Sequence, residues 1–285
     1  MNIKNVLSIG LVILVLAAII GCEGEKGPVG PSGEMEIPSE YTNADPYLGG
    51  ASYSQWYSTD AGGSGSLTIS AGSDFARCKA CHGWDGLGNA ASYSNRTGQS
   101  SGKSSRPDVS SIDLRSTIAI STVTELYTLI EHSWGRPLDA TANGMPSYKP
   151  YLTAGQIWNL VKFMKEEWVE PAELYELVLS GPPITDADNM PTLTFSNIGN
   201  SGNSANGNAL IATHCVSCHG TDGKLITDVD GKTGIGQFLR QKPHEAWFKI
   251  KFGNGGTMEP GELVNSTSDL KDVYKALTDT AAYPD

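Results

Sequence analysis

The sequence is poor in charged residues, and basic residues are the minority among them. Asp, Glu, Lys and Arg make up 18% of the 285 residues, against about 25% in an average soluble domain. There are 31 acidic and 20 basic residues, which gives a net charge of −11. Proteins that bind a nucleic-acid backbone need a basic surface. The composition therefore argues against a nucleic-acid partner and favours a neutral or basic one.

The N-terminal hydrophobic run is too short for a comfortable membrane span, which takes about 20 residues. It covers residues 6–20, follows Lys4 and ends at Gly21-Cys22. This pattern predicts a signal peptide over 1–21. It resembles a bacterial lipoprotein signal in which Cys22 carries the lipid. A plain secretory signal and an uncleaved anchor are the alternatives. We expect the mature chain on the periplasmic or cell-surface side of a bacterial membrane, anchored by lipid at Cys22.

Cysteine is scarce, and one motif accounts for every cysteine except Cys22. Of the five cysteines, four form two C-x-x-C pairs, each followed at once by histidine. The two motifs are Cys78, Cys81 and His82 in CKACH, and Cys215, Cys218 and His219 in CVSCH. Two thiols at this spacing reach the vinyl groups on one porphyrin edge, and the histidine one helical turn on lies under the iron. The motifs therefore predict two covalently attached c-type haems.

Two other uses of these cysteines were weighed against haem attachment. Proteins outside the cytoplasm often form disulfides, and four cysteines can hold a zinc ion. Neither use requires a histidine directly after both pairs, so the haem interpretation is favoured. It leaves no cysteine for a catalytic nucleophile.

Methionine sulfur is the predicted second axial ligand of each iron. Met145 lies in a Gly-Met-Pro segment after the first motif, and Met258 lies in a Gly- and Pro-rich segment after the second. Such segments are expected to be loops, where a large apolar side chain needs an inward-facing partner. His132 and His244 lie between motif and methionine and are the alternative ligands.

Capping motifs and helical periodicity predict the same order of elements in both halves. The predicted helices begin at Thr122, at Thr153, at Pro243 and near Ser266 or Thr267. Short helices over 74–77 and 209–214 are predicted to run into the cysteine pairs. Each half therefore reads as helix, CxxCH, loop, helix, methionine loop, helix. The segments GWDG (83–86) and GTDG (220–223) follow the two motifs directly and strengthen the internal repeat.

At these residues each half resembles a class I cytochrome c, and the chain resembles a tandem dihaem cytochrome c lipoprotein. The resemblance implies a mainly α fold of two helical domains, each wrapped around one covalent haem. The first half departs from the pattern through a polar insertion over 86–111. The predicted organisation begins with a signal peptide over 1–21 and a tether over 22–72, which contains collagen-like Gly-x-y triplets and a Gly/Ser linker. A first domain over 73–180, a linker over 181–204 and a second domain over 205–285 follow.

The ligand set decides the expected function. With histidine and methionine both bound, an iron has no open position for a substrate and suits electron transfer. We expect an electron carrier, not an enzyme, that relays single electrons between extracytoplasmic donor and acceptor proteins at a membrane surface. One alternative is a dihaem peroxidase, which needs a removable ligand at one iron. The other is the cytochrome subunit of a larger oxidoreductase complex.

Overall fold

The computed structural model describes residues 37–66, 77–88, 113–133, 145–180, 192–254, 258, 264 and 266–285. The helices in these ranges are α1 (Ser39–Thr42), α2 (Pro46–Gln55), α3 (Cys78–His82), α4 (Leu114–Ile120), α5 (Val123–His132), α6 (Ala154–Lys162), α7 (Ser204–His214), α8 (Val216–His219), α9 (Ile235–Gln241), α10 (Pro243–Phe252) and α11 (Thr267–Leu277). A π-helical turn, Phe163–Glu167, continues α6. The mainly α fold class is confirmed.

The predicted helix starts are confirmed where the structure describes them. Thr122 and Thr153 each form a complete capping box, in which the threonine hydroxyl accepts from the backbone N–H three residues on and the Glu or Gln there accepts in return. The Ser266 hydroxyl accepts from the N–H of Asp269. These contacts satisfy N–H groups that the helix itself leaves without partners. The predicted helix before Cys215 begins earlier than expected, at Ser204.

The predicted tether over 22–72 is wrong for residues 38–66. This segment contains α1, α2 and a 3-10 turn, Thr59–Ala61, and it packs into the core. Tyr53 of α2 is only 2% exposed. The glycines of α2 allow close helix packing. Residues 1–36, with the predicted signal peptide, Cys22 and the Gly-x-y triplets, lie outside the described residues.

Close packing against the last helix of the first half explains the glycines of α2. A Cβ on Gly49 would lie 2.0 Å from the carbonyl oxygen of Asn159 in α6. The side-chain oxygen of Asn159 accepts from the backbone N–H of Asp45, the N-cap of α2, at 2.8 Å. Only glycine permits this approach.

The second half repeats this contact between α7 and α11. A Cβ on Gly207 would lie 1.9 Å from the carbonyl oxygen of Asp272. The Asp272 carboxylate accepts from the backbone N–H of Asn203, the N-cap of α7, at 2.6 Å. Glycine stands four residues after the N-cap in both helices. Helices α2 and α7 therefore make the same kind of contact with a later helix.

A two-stranded antiparallel sheet lies between the halves, where the sequence predicts a domain end and a linker. Its strands are β1 (Glu176–Ser180) and β2 (Thr192–Ser196), and Glu176 pairs with Ser196. Phe195 of β2 packs edge-on against Tyr175 and stacks on His244. The hairpin is thereby tied to both halves.

Residues 38–285 form one compact unit. Helix α10 joins the halves, because Phe248 and Phe252 pack against the aromatic residues of α2 and of the π turn. The boundaries between 73–180, 181–204 and 205–285 stay a prediction. In the part of the chain that the structure describes, no helix is long and apolar enough to cross a membrane.

Candidate functional site

The two CxxCH motifs have the same backbone conformation. In each, the histidine ends a short helical turn and the glycine after it, Gly83 or Gly220, has a φ of 73° or 79°. This left-handed region is favourable for glycine alone. The chain therefore turns away at once after His82 and after His219.

The GWDG and GTDG segments then form the same turn. The carboxylates of Asp85 and Asp222 each accept from the backbone N–H two residues on, at 3.0 Å. The histidine carbonyls are held as well: that of His82 accepts from the N–H of Gly88 at 2.9 Å, and that of His219 from the N–H of Leu225 at 2.8 Å. Both motifs are thus presented by a pre-formed loop, as the sequence repeat suggests.

The second motif opens onto an apolar cavity. Cys215, His219 and Met258 line this cavity together, so the structure brings together three of the residues predicted from the sequence. Apolar side chains supply most of the remaining wall: Ile211, Val229, Ile235, Phe238, Leu239, Ala246, Ile250, Val264, Val273 and Leu277. The cavity has a volume of about 80 Å³ and is open to solvent. Cys218, the second cysteine of the motif, is exposed.

Backbone contacts hold Met258 in its place. Its carbonyl oxygen accepts from the N–H of Asn254 at 3.0 Å, directly after the end of α10. The side chain of Asn254 in turn accepts from the Lys249 ammonium at 2.6 Å. The methionine is therefore attached to the helix that forms one side of the cavity.

The first motif is anchored by two tyrosines. The Tyr53 hydroxyl donates to the Gly83 carbonyl at 2.6 Å. The Tyr148 side chain hydrogen-bonds Cys78. Tyr148 stands three residues after Met145, and Met145 itself is partly buried against the core. The structure therefore brings the Met145 segment to the first motif, in agreement with the order of elements predicted from the sequence.

Burial keeps both histidines in the form that binds metal. It lowers the pKa of His82 to about 4 and also lowers the pKa of His219. Neither Nδ1 atom has a hydrogen-bond partner among the described residues. Both imidazoles are therefore neutral at pH 7, and a neutral imidazole is an iron ligand. Burial likewise raises the pKa of the Cys78 thiol to about 12.

The alternative histidine ligands, His132 and His244, have other neighbours in the structure. His132 is half exposed and lies 2.9 Å from the Glu131 carboxylate. His244 is buried and stacks on Phe195 with the ring centroids 5.0 Å apart. Neither is among the described residues that line the second cavity.

The disulfide and zinc alternatives find no support in the described residues. Cys78, Cys81, Cys215 and Cys218 form no disulfide. Among the residues that the structure describes, no three His, Cys, Asp or Glu side chains converge as a metal site would require. The two cysteine pairs therefore do not meet as a zinc site.

The donor set of the second cavity fits a covalent haem. The Cys215 thiol, a neutral imidazole and a thioether side chain line the cavity, and the wall is apolar like the macrocycle. The signal that sequence reasoning missed is the glycine four residues after the N-cap of α2 and α7, where each helix approaches the backbone of a later helix.

Comparison with known proteins gives one family. Residues 70–168 match the family model named Cytochrome c, over about a third of the chain. No curated protein and no solved structure matches the chain. The matched segment contains the first CxxCH motif, α5, Met145 and α6. Residues 70–168 therefore match a cytochrome c domain, and this match supports a haem-containing electron-transfer protein.

Proposed function

We propose that the chain is a dihaem c-type cytochrome that relays single electrons between redox partners outside the cytoplasm, at a membrane surface. One observation carries this proposal: Cys215, His219 and Met258 line a single apolar cavity outside the matched segment 70–168. A second haem site in the same chain explains why these three side chains meet.

The chain's residues would hold the two haems in the same way. Thioether bonds from Cys78 and Cys81 would attach the first, with His82 and Met145 as the iron ligands. In the second, Cys215 and Cys218 would form the thioethers, and His219 and Met258 would be the ligands. When bound, each haem supplies an iron that accepts and releases one electron.

The residues around the second cavity favour electron transfer over substrate chemistry. An imidazole and a thioether that both ligate leave no position for substrate, so His219 and Met258 exclude it. The apolar wall, with Ile211 and Leu239 each 1% exposed, presents few dipoles that would have to reorient when the charge changes by one electron. The chain would therefore act as a carrier.

The duplicated helix contact supports two separate haem-binding halves. Gly49 approaches Asn159 in the first half as Gly207 approaches Asp272 in the second. A contact with the same N-cap spacing and the same hydrogen bond to the N-cap N–H is typical of an internal duplication. The second half would then be a cytochrome c domain like the first.

The location is proposed from the N-terminal sequence. A signal peptide over 1–21 and a lipid on Cys22 would hold the chain on the periplasmic or cell-surface side of the membrane. Its partners would be electron donor and acceptor proteins there. A Cys22→Ala variant that stays with the membrane fraction after a salt wash would contradict the lipid anchor.

Haem counting tests the proposal directly. Protein from a host that matures c-type cytochromes should carry the added mass of two haems. The double variant Cys215→Ser and Cys218→Ser should carry one, and so should Cys78→Ser with Cys81→Ser. A wild-type protein with a single haem would overturn the dihaem function. Turnover of peroxide by the native protein with both haems bound would favour the peroxidase alternative.

A further inference from the structure

Helix α10 presents opposite faces to the two haem motifs. Ala246, Lys249 and Ile250, at helical spacing, line the second cavity. Phe248 and Phe252 are fully buried on the other side, where Phe163 of the first half lies at ring-centroid distances of 5.8 and 5.0 Å. One helix thus forms a wall of the second haem site and a contact surface for the first half.

The first motif reaches this surface through one side chain. Trp84 follows His82 by two residues, is buried, and has its ring centroid 4.6 Å from that of Phe248. Tyr53, which donates to the carbonyl of Gly83, lies 5.9 Å from Phe248, centroid to centroid. The backbone beside the first histidine is therefore packed directly against the helix beside the second cavity.

A polar cleft gives independent evidence that the two sites are close. Lys79 and Trp84 of the first motif line this cleft together with Phe248. Lys249 and Met258 line the same cleft and also the second cavity. The edge of the second haem site is thus shared with a cleft bordered by the first motif.

Two contacts keep this interface rigid. Lys251 of α10 is buried, with 4% of the residue exposed, and its ammonium forms an ion pair with the Glu167 carboxylate at 2.5 Å. A Cβ on Gly50 of α2 would lie 2.3 Å from the ring of Phe252, so the helix backbone and the ring are in close contact. A packed interior of this kind leaves little freedom for the halves to separate.

We infer that the Trp84–Phe248 contact is the route by which electrons pass between the two haem sites within one molecule. This inference rests on the proposed dihaem function. One electron leaves the reduced site and arrives at the oxidised one; neither ring is oxidised or reduced, no bond forms or breaks, and no proton moves. Trp84 and Phe248 provide closely packed atoms where a gap would otherwise separate the sites.

The test measures electron exchange in the half-reduced holoprotein by the line widths of its haem methyl NMR signals. Rapid exchange within a molecule gives averaged signals whose width is independent of protein concentration. Trp84→Leu should slow this exchange several-fold and broaden the signals, while Trp84→Phe should keep most of the rate. Trp158→Leu is the matched control, since Trp158 is a buried tryptophan of the first half whose ring neighbours are Tyr41 and Tyr127.

Phe248→Leu gives the same test from the other side of the contact and covers the case in which Trp84→Leu does not fold. The potentials of both haems are measured in each variant, so that a change in population is separated from a change in rate. Unchanged exchange in the Trp84→Leu or Phe248→Leu protein would overturn the inference, and so would exchange that scales with concentration in the wild type. Methyl signals from only one haem would instead overturn the dihaem function itself.

Discussion

Replacing Gly207 by alanine should destabilise the second half, although alanine is the better helix former. In the present packing the new Cβ would lie 1.9 Å from the carbonyl oxygen of Asp272 and 2.9 Å from the Cβ of Ala276. The Asp272 oxygen belongs to the backbone, which cannot rotate away as a side chain can. Helices α7 and α11 would have to separate.

The size of the effect follows from two opposing terms. Overpacking a tight core costs about 1–3 kcal/mol, and a backbone obstacle places Gly207→Ala near the upper end. The gain in helix propensity from glycine to alanine returns up to about 1 kcal/mol. We expect a net loss of about 2 kcal/mol in the free energy of unfolding.

Gly155→Ala is the matched control within the same protein. Gly155 lies in the first turn of α6, is exposed, and has only the Thr153 hydroxyl oxygen near its Cβ position, at 4.0 Å. The same substitution there should stabilise the protein by about 0.5 kcal/mol, because it restricts the unfolded chain. The two variants should therefore shift the unfolding free energy in opposite directions.

Urea unfolding of the holoprotein, followed by circular dichroism and by haem absorbance, measures both variants. Helix α7 runs directly into the second motif, since the N–H of Cys215 donates to the carbonyl of Ile211 at 2.8 Å. The Gly207→Ala change should therefore disturb the spectrum of the second haem and leave that of the first. Equal unfolding midpoints for Gly207→Ala and wild type would refute the packing argument.

Three further predictions follow from single contacts. Met145→Ala and Met258→Ala should each remove one iron–sulfur band from the near-infrared spectrum of the oxidised protein and lower one haem potential; a band that survives its own substitution contradicts that ligand assignment. Burial and the nearby Lys242 charge lower the pKa of His244 to about 4. As the pH falls, this imidazole is protonated in the unfolded chain before it is protonated in the folded one. The contribution of His244 to the free energy of unfolding is therefore fully present above about pH 6.5 and is lost as the pH drops towards 4, by up to about 3 kcal/mol. His244→Gln should flatten that loss in urea titrations at pH 7 and 4.5, and a parallel decline in both proteins would disprove it. Lys251→Met should cost about 3 kcal/mol by leaving the Glu167 carboxylate without its ion pair, and adding Glu167→Leu should recover much of it; a double variant as unstable as the single one argues against the pair.

Local features of the fold could be predicted because they depend on residues close together in the sequence. The capping boxes at Thr122 and Thr153 form within four residues, and the structure has both. The helix α2 was missed for the opposite reason. Its sequence, PYLGGASYSQ, has no single apolar face, because α6 and α10 cover it on two sides.

What the sequence by itself determined is the chemistry of attachment. Two thiols and an imidazole within five residues have a spacing that is set by the porphyrin edge and by one turn of helix, so CKACH and CVSCH can be recognised without any knowledge of the fold. The turn after each motif is equally local, because Gly83 and Gly220 must take up a positive φ.

Only the tertiary structure decided how the two halves meet. Trp84 lies against Phe248, and Met258 faces the cavity of His219, although long stretches of chain separate the partners. Such contacts depend on how whole helices pack, and the close approach of Gly50 to Phe252 favours the packing between the halves. Periodicity describes one helix at a time, whereas the burial of α10 between two haem motifs is a property of the assembled core.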